Sequence, residues 1–208
     1  MPKWTQAYHR FFLIICLAGF SLTAMAQNFE FYTLAGPVVS QIDGDRVGGY
    51  NKLGAVAGIG VAYPFQEVWY AMMELSYIGK GKGSFNESSL ATYKTSLHYI
   101  QLPLLISRQV HPQFVVETGL STGYLLAYEF YEDGSPTNSD PYRPTRFDLD
   151  GLLGLSYLLN AHWKLNLRFS YSLFHMNKIS GDYYRSNIWK HPLGKYNRNM
   201  ALAFQYWF

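Results

Sequence analysis

The 208-residue chain has very little cysteine and little charge. Cys16 is the only cysteine, and it lies in an N-terminal segment with the features of a cleaved export signal. The mature chain would then have no thiol, which excludes disulfide bonds, cysteine nucleophiles and thiolate metal sites. Charged residues make up only 15% of the chain. Beyond residue 26 no segment offers the roughly 18 consecutive apolar residues of a transmembrane helix, although alternating membrane strands remain compatible with this composition.

The N-terminal segment 1–26 has the three parts of a Sec signal peptide. Its apolar core is too short to span a bilayer comfortably, so a retained membrane anchor is the weaker alternative. We therefore predict two divisions of the chain, a cleaved signal peptide over 1–26 and one mature domain over 27–208. The parts of the signal are a positive region with Lys3 and Arg10, an apolar core from Phe11 to Leu22, and the cleavage motif Ala24-Met25-Ala26.

The mature chain is nearly neutral and rich in aromatic residues. Lys and Arg total 17 against 14 Asp and Glu, and removal of Lys3 and Arg10 leaves 15 basic residues against 14 acidic ones. A nucleic-acid-binding function is excluded, because it requires a basic surface. About 180 mature residues suit a single domain. Aromatic residues make up 18% of the chain.

Eight stretches of the mature chain alternate apolar and polar residues in the manner of β-strands. Most have the roughly 9–11 residues that a tilted strand needs to cross a bilayer. In the seventh, Leu165, Leu167 and Phe169 alternate with Lys164 and Arg168, so one face is apolar and the other polar. The predicted strands are Phe29–Val39, Lys52–Tyr63, Val68–Gly79, Tyr93–Arg108, Gln113–Tyr128, Phe147–Leu159, His162–Met176 and Arg198–Phe208.

The connections between these strands alternate in length. Those after the second, fourth and sixth strands are tight, whereas those after the first, third, fifth and seventh are long and polar. This sorting is typical of outer-membrane barrels, which have short periplasmic turns and long extracellular loops. We predict an all-β fold over 27–208: an eight-stranded antiparallel up-and-down transmembrane β-barrel in the cell outer membrane, with a filled polar lumen and periplasmic termini. A soluble barrel or sandwich is the alternative.

Charged and amide side chains on the polar faces predict a network inside the barrel. An eight-stranded barrel is just wide enough for side chains to fill it, so these groups are expected to pack against one another rather than to line a pore. A catalytic or proton-relay role for Glu74, Glu117 and Arg168 is the weaker alternative. The predicted lumen network consists of Glu74, Gln101, Glu117, Asp148, Asp150, Lys164 and Arg168.

Aromatic residues collect near the ends of the predicted strands, as expected of two interfacial girdles. One girdle is predicted near the short turns, from Tyr63, Phe65, Trp69, Phe114, Trp163 and Trp207, and the other near the long loops, from Tyr50, Tyr77, Tyr93, Tyr128 and Phe174. The loops after the fifth and seventh strands have further aromatic side chains, which we predict to contact a partner or an envelope glycolipid. These possible contact residues are Tyr142, Tyr183, Tyr184, Trp189 and Tyr196.

The last strand places five apolar residues on one face and ends on a phenylalanine. Such a strand resembles the signal by which outer-membrane barrels are recognised by their assembly machinery. Met200 lies on the same face, and we predict that Leu202, Phe204, Tyr206 and Phe208 act as the assembly signal.

Four short phrases of the mature chain stand out: Tyr99-Ile100-Gln101-Leu102-Pro103-Leu104-Leu105, Asn197-Arg198 leading to Leu202-x-Phe204-x-Tyr206-x-Phe208, Glu74-Leu75-Ser76-Tyr77 with Gly79-Lys80-Gly81, and Gly119 to Leu126. These phrases resemble those of PorT-family outer-membrane barrels of Bacteroidota. The resemblance implies the barrel fold. It also implies a structural or accessory role in secretion or envelope assembly, because one family member is needed for type IX secretion. Gln101 stands where the family has a glutamate, and we expect Pro103 to mark a β-bulge.

Motifs for catalysis and cofactor binding are weak. The histidines form no zinc-binding spacing, and we predict a non-enzymatic protein without cofactor or metal. Two alternatives stay open: a lipid A acyl hydrolase or transferase built on His175 with Ser172 or Ser180 and Asp182, and calcium binding near Asp43-Gly44-Asp45 or Glu132-Asp133 with Asp140.

The segment Gly79–Ser84 is predicted to be a mobile, cationic loop whose lysines could contact lipopolysaccharide phosphates. The expected partners are outer-membrane lipid and lipopolysaccharide, the barrel-assembly machinery during insertion, and an envelope protein complex.

Overall fold

The structure, a computed structural model, describes residues 28–43, 50–83, 93–132, 135–136, 144–174 and 195–208. No helix among these residues is long and apolar enough to cross a membrane. They form nine strands: β1 (Glu30–Asp43), β2 (Lys52–Gln66), β3 (Trp69–Gly83), β4 (Tyr93–His111), β5 (Phe114–Glu132), β6 (Ser135–Pro136), β7 (Phe147–Leu158), β8 (Trp163–Ser172) and β9 (Tyr196–Trp207).

The eight long strands form one closed antiparallel barrel. Each pairs with its neighbour along the chain, and β9 pairs with β1 to close the circle, whereas β6 only extends the sheet beside the end of β5. One circuit of paired residues that starts at Phe31 returns to β1 at Gln41, ten residues further along that strand. Such a stagger tilts the strands of a closed barrel. The predicted fold class is confirmed.

The alternation along each strand separates an apolar exterior from a polar interior. On β8, Leu167 and Phe169 are exposed, whereas Asn166 and Ser170 are buried. The outward faces of β3 and β5 are apolar in the same way. Because large apolar patches are rare on soluble monomers, these continuous rows suit a lipid environment. The exposed side chains include Met73, Leu75, Tyr77, Val116, Leu120, Tyr124 and Leu126.

The three short turns lie where the alternation of connection lengths predicts them. Two-residue turns join β2 to β3 and β4 to β5. Between β7 and β8, the side-chain oxygen of Asn160 accepts hydrogen bonds from the backbone N–H groups of His162 and Trp163, both at 2.9 Å. This is a common use of asparagine in tight turns. The central parts of the four long connections lie outside the described residues.

Several strands run further toward the long connections than the sequence predicts. β4 and β5 pair along their whole length, so polar and glycine residues beyond the predicted strand ends still join the ladder. The prediction of a loop at Gly79–Ser84 is wrong for its first five residues, which belong to β3. Gly81 has a φ of 141°, and a Cβ there would lie 2.1 Å from the backbone oxygen of Thr95. Glycine is thus required by the backbone of a strand at this position.

Pro103 does not mark a bulge. The pairing of β3 with β4 passes from Met73–Leu104 to Ser76–Gln101 without a change of register, and the register shift in this part of β4 lies at His98/Tyr99. The ladder with β3 is interrupted between those two pairs. Proline has no backbone N–H group to donate to the ladder. At Pro103 this is accommodated by a local gap in the pairing of β4 with β3, and no extra residue is inserted into the strand.

Candidate functional site

The central feature of the lumen is Arg168 of β8, which contacts two glutamates. Its terminal nitrogens lie 2.6 and 2.9 Å from the two carboxylate oxygens of Glu74 on β3, and its Nε lies 2.7 Å from Oε1 of Glu117 on β5. The planar guanidinium fork matches this two-oxygen geometry. Tyr32 of β1 donates a hydrogen bond to Glu74 at 2.7 Å. We call these four residues the Arg168 cluster; they connect strands from opposite sides of the barrel.

Two glycines leave space for the Arg168 cluster. Gly60 pairs with Tyr32, and a Cβ at Gly60 would lie 2.2 Å from the tyrosine ring. Gly154 pairs with Glu117, and a Cβ there would lie 2.5 Å from Oε1 of the glutamate. The Arg168 cluster therefore fits inside the barrel partly because these two positions have no side chain.

A second charged group lies nearer the long connections and is centred on Lys80 of β3. This side chain is fully buried; its ammonium contacts Asp150 of β7 and lies 3.4 Å from Asp148 of the same strand. The Tyr99 ring lies 5.1 Å from the ammonium nitrogen, within range of a cation–π contact. One cation therefore faces two buried carboxylates, and the second negative charge needs other donors.

Neutral side chains supply those donors. Nε2 of Gln101 donates to Asp150 at 2.9 Å, and Nδ2 of Asn197 donates to Asp148 at 2.8 Å. The Ser172 hydroxyl oxygen lies 2.8 Å from an oxygen of Asp148 and 3.1 Å from one of Asp150. An ionised glutamate in place of Gln101 could not donate, so the amide suits this position. We call Lys80, Asp148, Asp150, Gln101, Ser172 and Asn197 the Lys80 cluster.

Lys164 belongs to neither cluster through a direct ion pair with a described residue. Its Nζ lies 3.3 Å from the centroid of the Trp207 ring. Trp207 in turn stacks on Tyr32 at 4.5 Å and donates its indole N–H to Gln205 at 3.2 Å. The placement of Trp207 in an interfacial girdle is therefore wrong, because it shares the inward face of β9 with Ala203 and Gln205 and is buried.

All seven residues of the predicted lumen network point into the barrel, and six of them divide between the two clusters. The predicted network lacks four members of the two clusters: Tyr32, Lys80, Ser172 and Asn197. Lys80 could have been found, because it follows Glu74, Ser76 and Ile78 on one face at period two. The glycines around it obscured this signal, since they favoured a loop. The network residues and Lys80 are buried or half-buried.

The residues predicted as an assembly signal lie on the outer face of β9 and at its end. Leu202, Phe204 and Phe208 are exposed, and the half-buried ring of Tyr206 packs against Trp163 at 5.0 Å. Of the predicted loop contacts, only Tyr196 is described; it begins β9 and stacks on Tyr171 at 5.9 Å, so it belongs to the barrel rim. The other four, Tyr142, Tyr183, Tyr184 and Trp189, lie outside the described residues, as do His175, Ser180 and Asp182.

Other described aromatic residues occupy the outer surface near both barrel ends. Near the short turns, the Arg108 guanidinium lies 5.2 Å from the Trp69 ring. Near the long connections, the Tyr77 hydroxyl lies 2.6 Å from Nδ1 of His98. Amphipathic and charged groups at these levels suit the two membrane–water interfaces.

The predicted calcium positions are only partly described. The Asp43 carboxylate lies 3.4 Å from Arg198 and accepts a hydrogen bond from Gln41 at 2.8 Å. Within the described ranges, no group of three or more His, Cys, Asp or Glu side chains could hold a metal ion.

An apolar outer wall around a polar, charged interior defines the class of integral outer-membrane barrels. The chain matches the family model for the outer membrane protein beta-barrel domain over residues 18–178, and it belongs to this family. It is an outer-membrane β-barrel protein.

Two solved structures show the same fold. Ail, the attachment invasion locus protein of Yersinia pestis, is 15% identical with a TM-score of 0.51; the similarity covers 86% of this chain and 98% of that one. Neisserial surface protein A (NspA) is 12% identical with a TM-score of 0.56 over 86% of this chain and 97% of that one. No curated protein matches the sequence.

Proposed function

We propose that this protein is a non-enzymatic outer-membrane barrel that serves as a structural or accessory component of a secretion or envelope assembly. The observation that carries this proposal is the occupation of the lumen by the two charged clusters. Arg168, Glu74 and Glu117 are engaged with one another across the barrel interior, and Lys80 is fully buried between acids. Because the interior is filled, the barrel is better suited to act as a rigid support than as a conducting path.

We propose export by the signal peptide 1–26 and a topology with periplasmic termini. The described termini of the barrel, in β1 and β9, lie at the same end as the three short turns. In outer-membrane barrels short turns are periplasmic and long loops extracellular. The long connections would then project from the cell surface, where they could meet partners.

A PorT-type affiliation is the finer family proposal. The phrase Tyr99 to Leu105 lies in β4, where Tyr99 and Gln101 are buried in the lumen and Ile100 and Leu102 face outward. One short phrase thus contributes to both surfaces of the barrel. Its residues supply ring packing and an amide donor to the Lys80 cluster.

A surface binding module that acts through the long connections is the second candidate. The stacked rings of Tyr171 and Tyr196 lie where the connection between β8 and β9 leaves and rejoins the barrel. The predicted contact residues Tyr183, Tyr184 and Trp189 lie in that connection. Aromatic side chains contribute strongly to protein interfaces, which favours a partner or an envelope glycolipid as the ligand.

The test is quantitative recovery of partners from native membranes with a chain shortened within residues 178–194. We expect the shortened protein to remain a folded barrel, with gel mobility that changes on boiling, and to lose its partners. A chain shortened within residues 85–91 is the matched control. Retention of every partner by the first variant would contradict the proposal.

The enzyme alternative has its own readout. His175→Ala is expected to leave lipid A composition unchanged. A shift in lipid A acylation in this variant, at unchanged barrel level, would favour a lipid A hydrolase or transferase over the accessory role.

The assembly signal is tested by deletion of Phe208. We expect lower levels of inserted barrel, because the deletion shortens the outward apolar row that the assembly machinery is proposed to recognise. Phe208→Tyr keeps an aromatic terminus and is the control. Normal insertion of the chain that lacks Phe208 would contradict the assignment of the assembly signal.

A further inference from the structure

A cavity of about 70 Å³ lies inside the barrel between the Arg168 cluster and the short turns. One buried water needs roughly 10–15 Å³ of such space, so the cavity is large enough for several. Its lining contains both polar and apolar side chains. The side chains that line the cavity include Lys164, Gln205, Glu117, Ser107, Met72 and Trp207.

Gln205 presents an unused donor to this cavity. Its side chain is 1% exposed and its Oε1 accepts the indole N–H of Trp207, so the hydrogen bond defines which end of the amide is the donor. Nε2 has no hydrogen-bond partner among the described residues. A buried amide N–H without a partner is costly, and the cavity beside it is the space from which a partner can come.

Lys164 faces the same cavity and supplies the charge that the Arg168 cluster lacks. Glu74 and Glu117 carry two negative charges against the single positive charge of Arg168. The charges of Lys164, Arg168, Glu74 and Glu117 sum to zero, but no direct ion pair joins Lys164 to Glu117. Both side chains line the cavity, so the two charged groups border the same space.

An occupant that suits this lining accepts hydrogen bonds from Lys164 and Gln205 and can donate one to Glu117. A halide ion could not donate to Glu117, and its charge would restore the imbalance that Lys164 removes. An apolar occupant would leave Nε2 of Gln205 without a partner. Water meets both requirements at once.

We propose that this cavity is a buried water site, in which a few ordered waters bridge Lys164 and Gln205 to Glu117. Water then bridges the polar groups in the lower part of the lumen, whereas direct protein contacts surround the three charged groups of the Lys80 cluster. This water site lies in the barrel interior and does not depend on the proposed role of the long connections.

Radiolytic hydroxyl labelling of the full barrel in lipid nanodiscs tests the proposal, because bound waters label the side chains beside them. Met72 and Trp207 are each 6% exposed and line the cavity. We expect both to be oxidised in the wild-type protein, and we expect Gln205→Leu, which removes the donor and fills the space, to lower Met72 labelling several-fold. Asn199→Leu removes another buried amide without a partner at Nδ2, six residues away along β9, and should leave Met72 labelling unchanged.

Three results would overturn the proposal. One is absence of Met72 oxidation in the wild-type protein, and another is equal Met72 labelling in the wild type and in a folded Gln205→Leu barrel. The third is an anomalous peak from a bromide soak of crystals between Lys164 and Gln205, since the cavity would then hold an anion. Boiling-dependent gel mobility identifies variants that fold, and Gln205→Met is the substitute if Gln205→Leu does not.

Discussion

The two charged clusters of the lumen meet the same electrostatic problem in different ways. Each places one cation against two carboxylates in a barrel interior. The Lys80 cluster compensates the extra negative charge with neutral donors from Gln101, Ser172 and Asn197. The Arg168 cluster uses a guanidinium fork, a tyrosine hydroxyl and, at a distance, the charge of Lys164. Buried charges can thus be balanced by nearby dipoles or by a second charge.

The difference extends to burial. The Lys80 side chain is 0% exposed and that of Arg168 is 11% exposed. Direct contacts surround the carboxylates of the Lys80 cluster, whereas a cavity adjoins the Arg168 cluster. A charge left without its partner has less access to water in the Lys80 cluster, so we expect the stability of the barrel to depend most strongly on Lys80.

The largest effect is expected for Lys80→Met. Loss of the ammonium leaves Asp148 and Asp150 without their only described cation, and removal of one partner from a buried ion pair costs about 3–5 kcal/mol. Urea unfolding of the barrel in lipid vesicles measures the change in the free energy of unfolding.

Lys82→Met, on the same strand but only partly buried, is the control and should cost much less. The double variant Lys80→Met/Asp150→Asn should recover part of the loss, because it removes one of the two facing charges. Equal losses for Lys80→Met and Lys82→Met would break the comparison.

A smaller loss is expected for Arg168→Lys. The ammonium keeps the charge but cannot reproduce two contacts to Glu74 together with one to Glu117. Loss of charge-assisted hydrogen bonds should cost about 2–3 kcal/mol in the same unfolding experiment. If the lysine variant is as stable as the wild type, the fork geometry contributes nothing and charge alone holds the cluster.

Sequence alternation was sufficient to predict the barrel, its exterior and most of the lumen network. The period-two alternation assigns each residue to the inward or the outward face, and this assignment holds even where the predicted strand ends are wrong. It failed at Gly79–Gly83, where glycine indicated a loop although the pairing with β4 continues. It also misplaced Trp207, because a tryptophan near a short turn suits an interface and a lumen equally well. The sequence groups Glu74, Glu117 and Arg168, whereas the pairing of Lys80 with Asp148 and Asp150 depends on strand stagger, which a single sequence does not contain.

Gly154→Ala tests the clearance that the Arg168 cluster requires. The added Cβ would lie 2.5 Å from Oε1 of Glu117, so the glutamate must move away from Arg168. Overpacking of this kind should cost about 1–2 kcal/mol. The control is Gly151→Ala on the same strand, where the nearest atom outside the neighbouring residues is a Leu173 methyl carbon at 3.5 Å. A crystal structure of Gly154→Ala with the Arg168 contacts unchanged would contradict the argument.

The smallest effect is expected for Tyr32→Phe, which removes one hydroxyl from the Arg168 cluster and keeps the ring. The 2.7 Å hydrogen bond to Glu74 is lost, but both glutamate oxygens retain their contacts to Arg168. The stacking of the ring on Trp207 is also preserved. We therefore expect a loss of about 1 kcal/mol in the free energy of unfolding. In a double-mutant cycle with Arg168→Lys, the two losses should not add, because both changes act on Glu74. Strict additivity would show that the hydroxyl and the guanidinium stabilise the barrel independently.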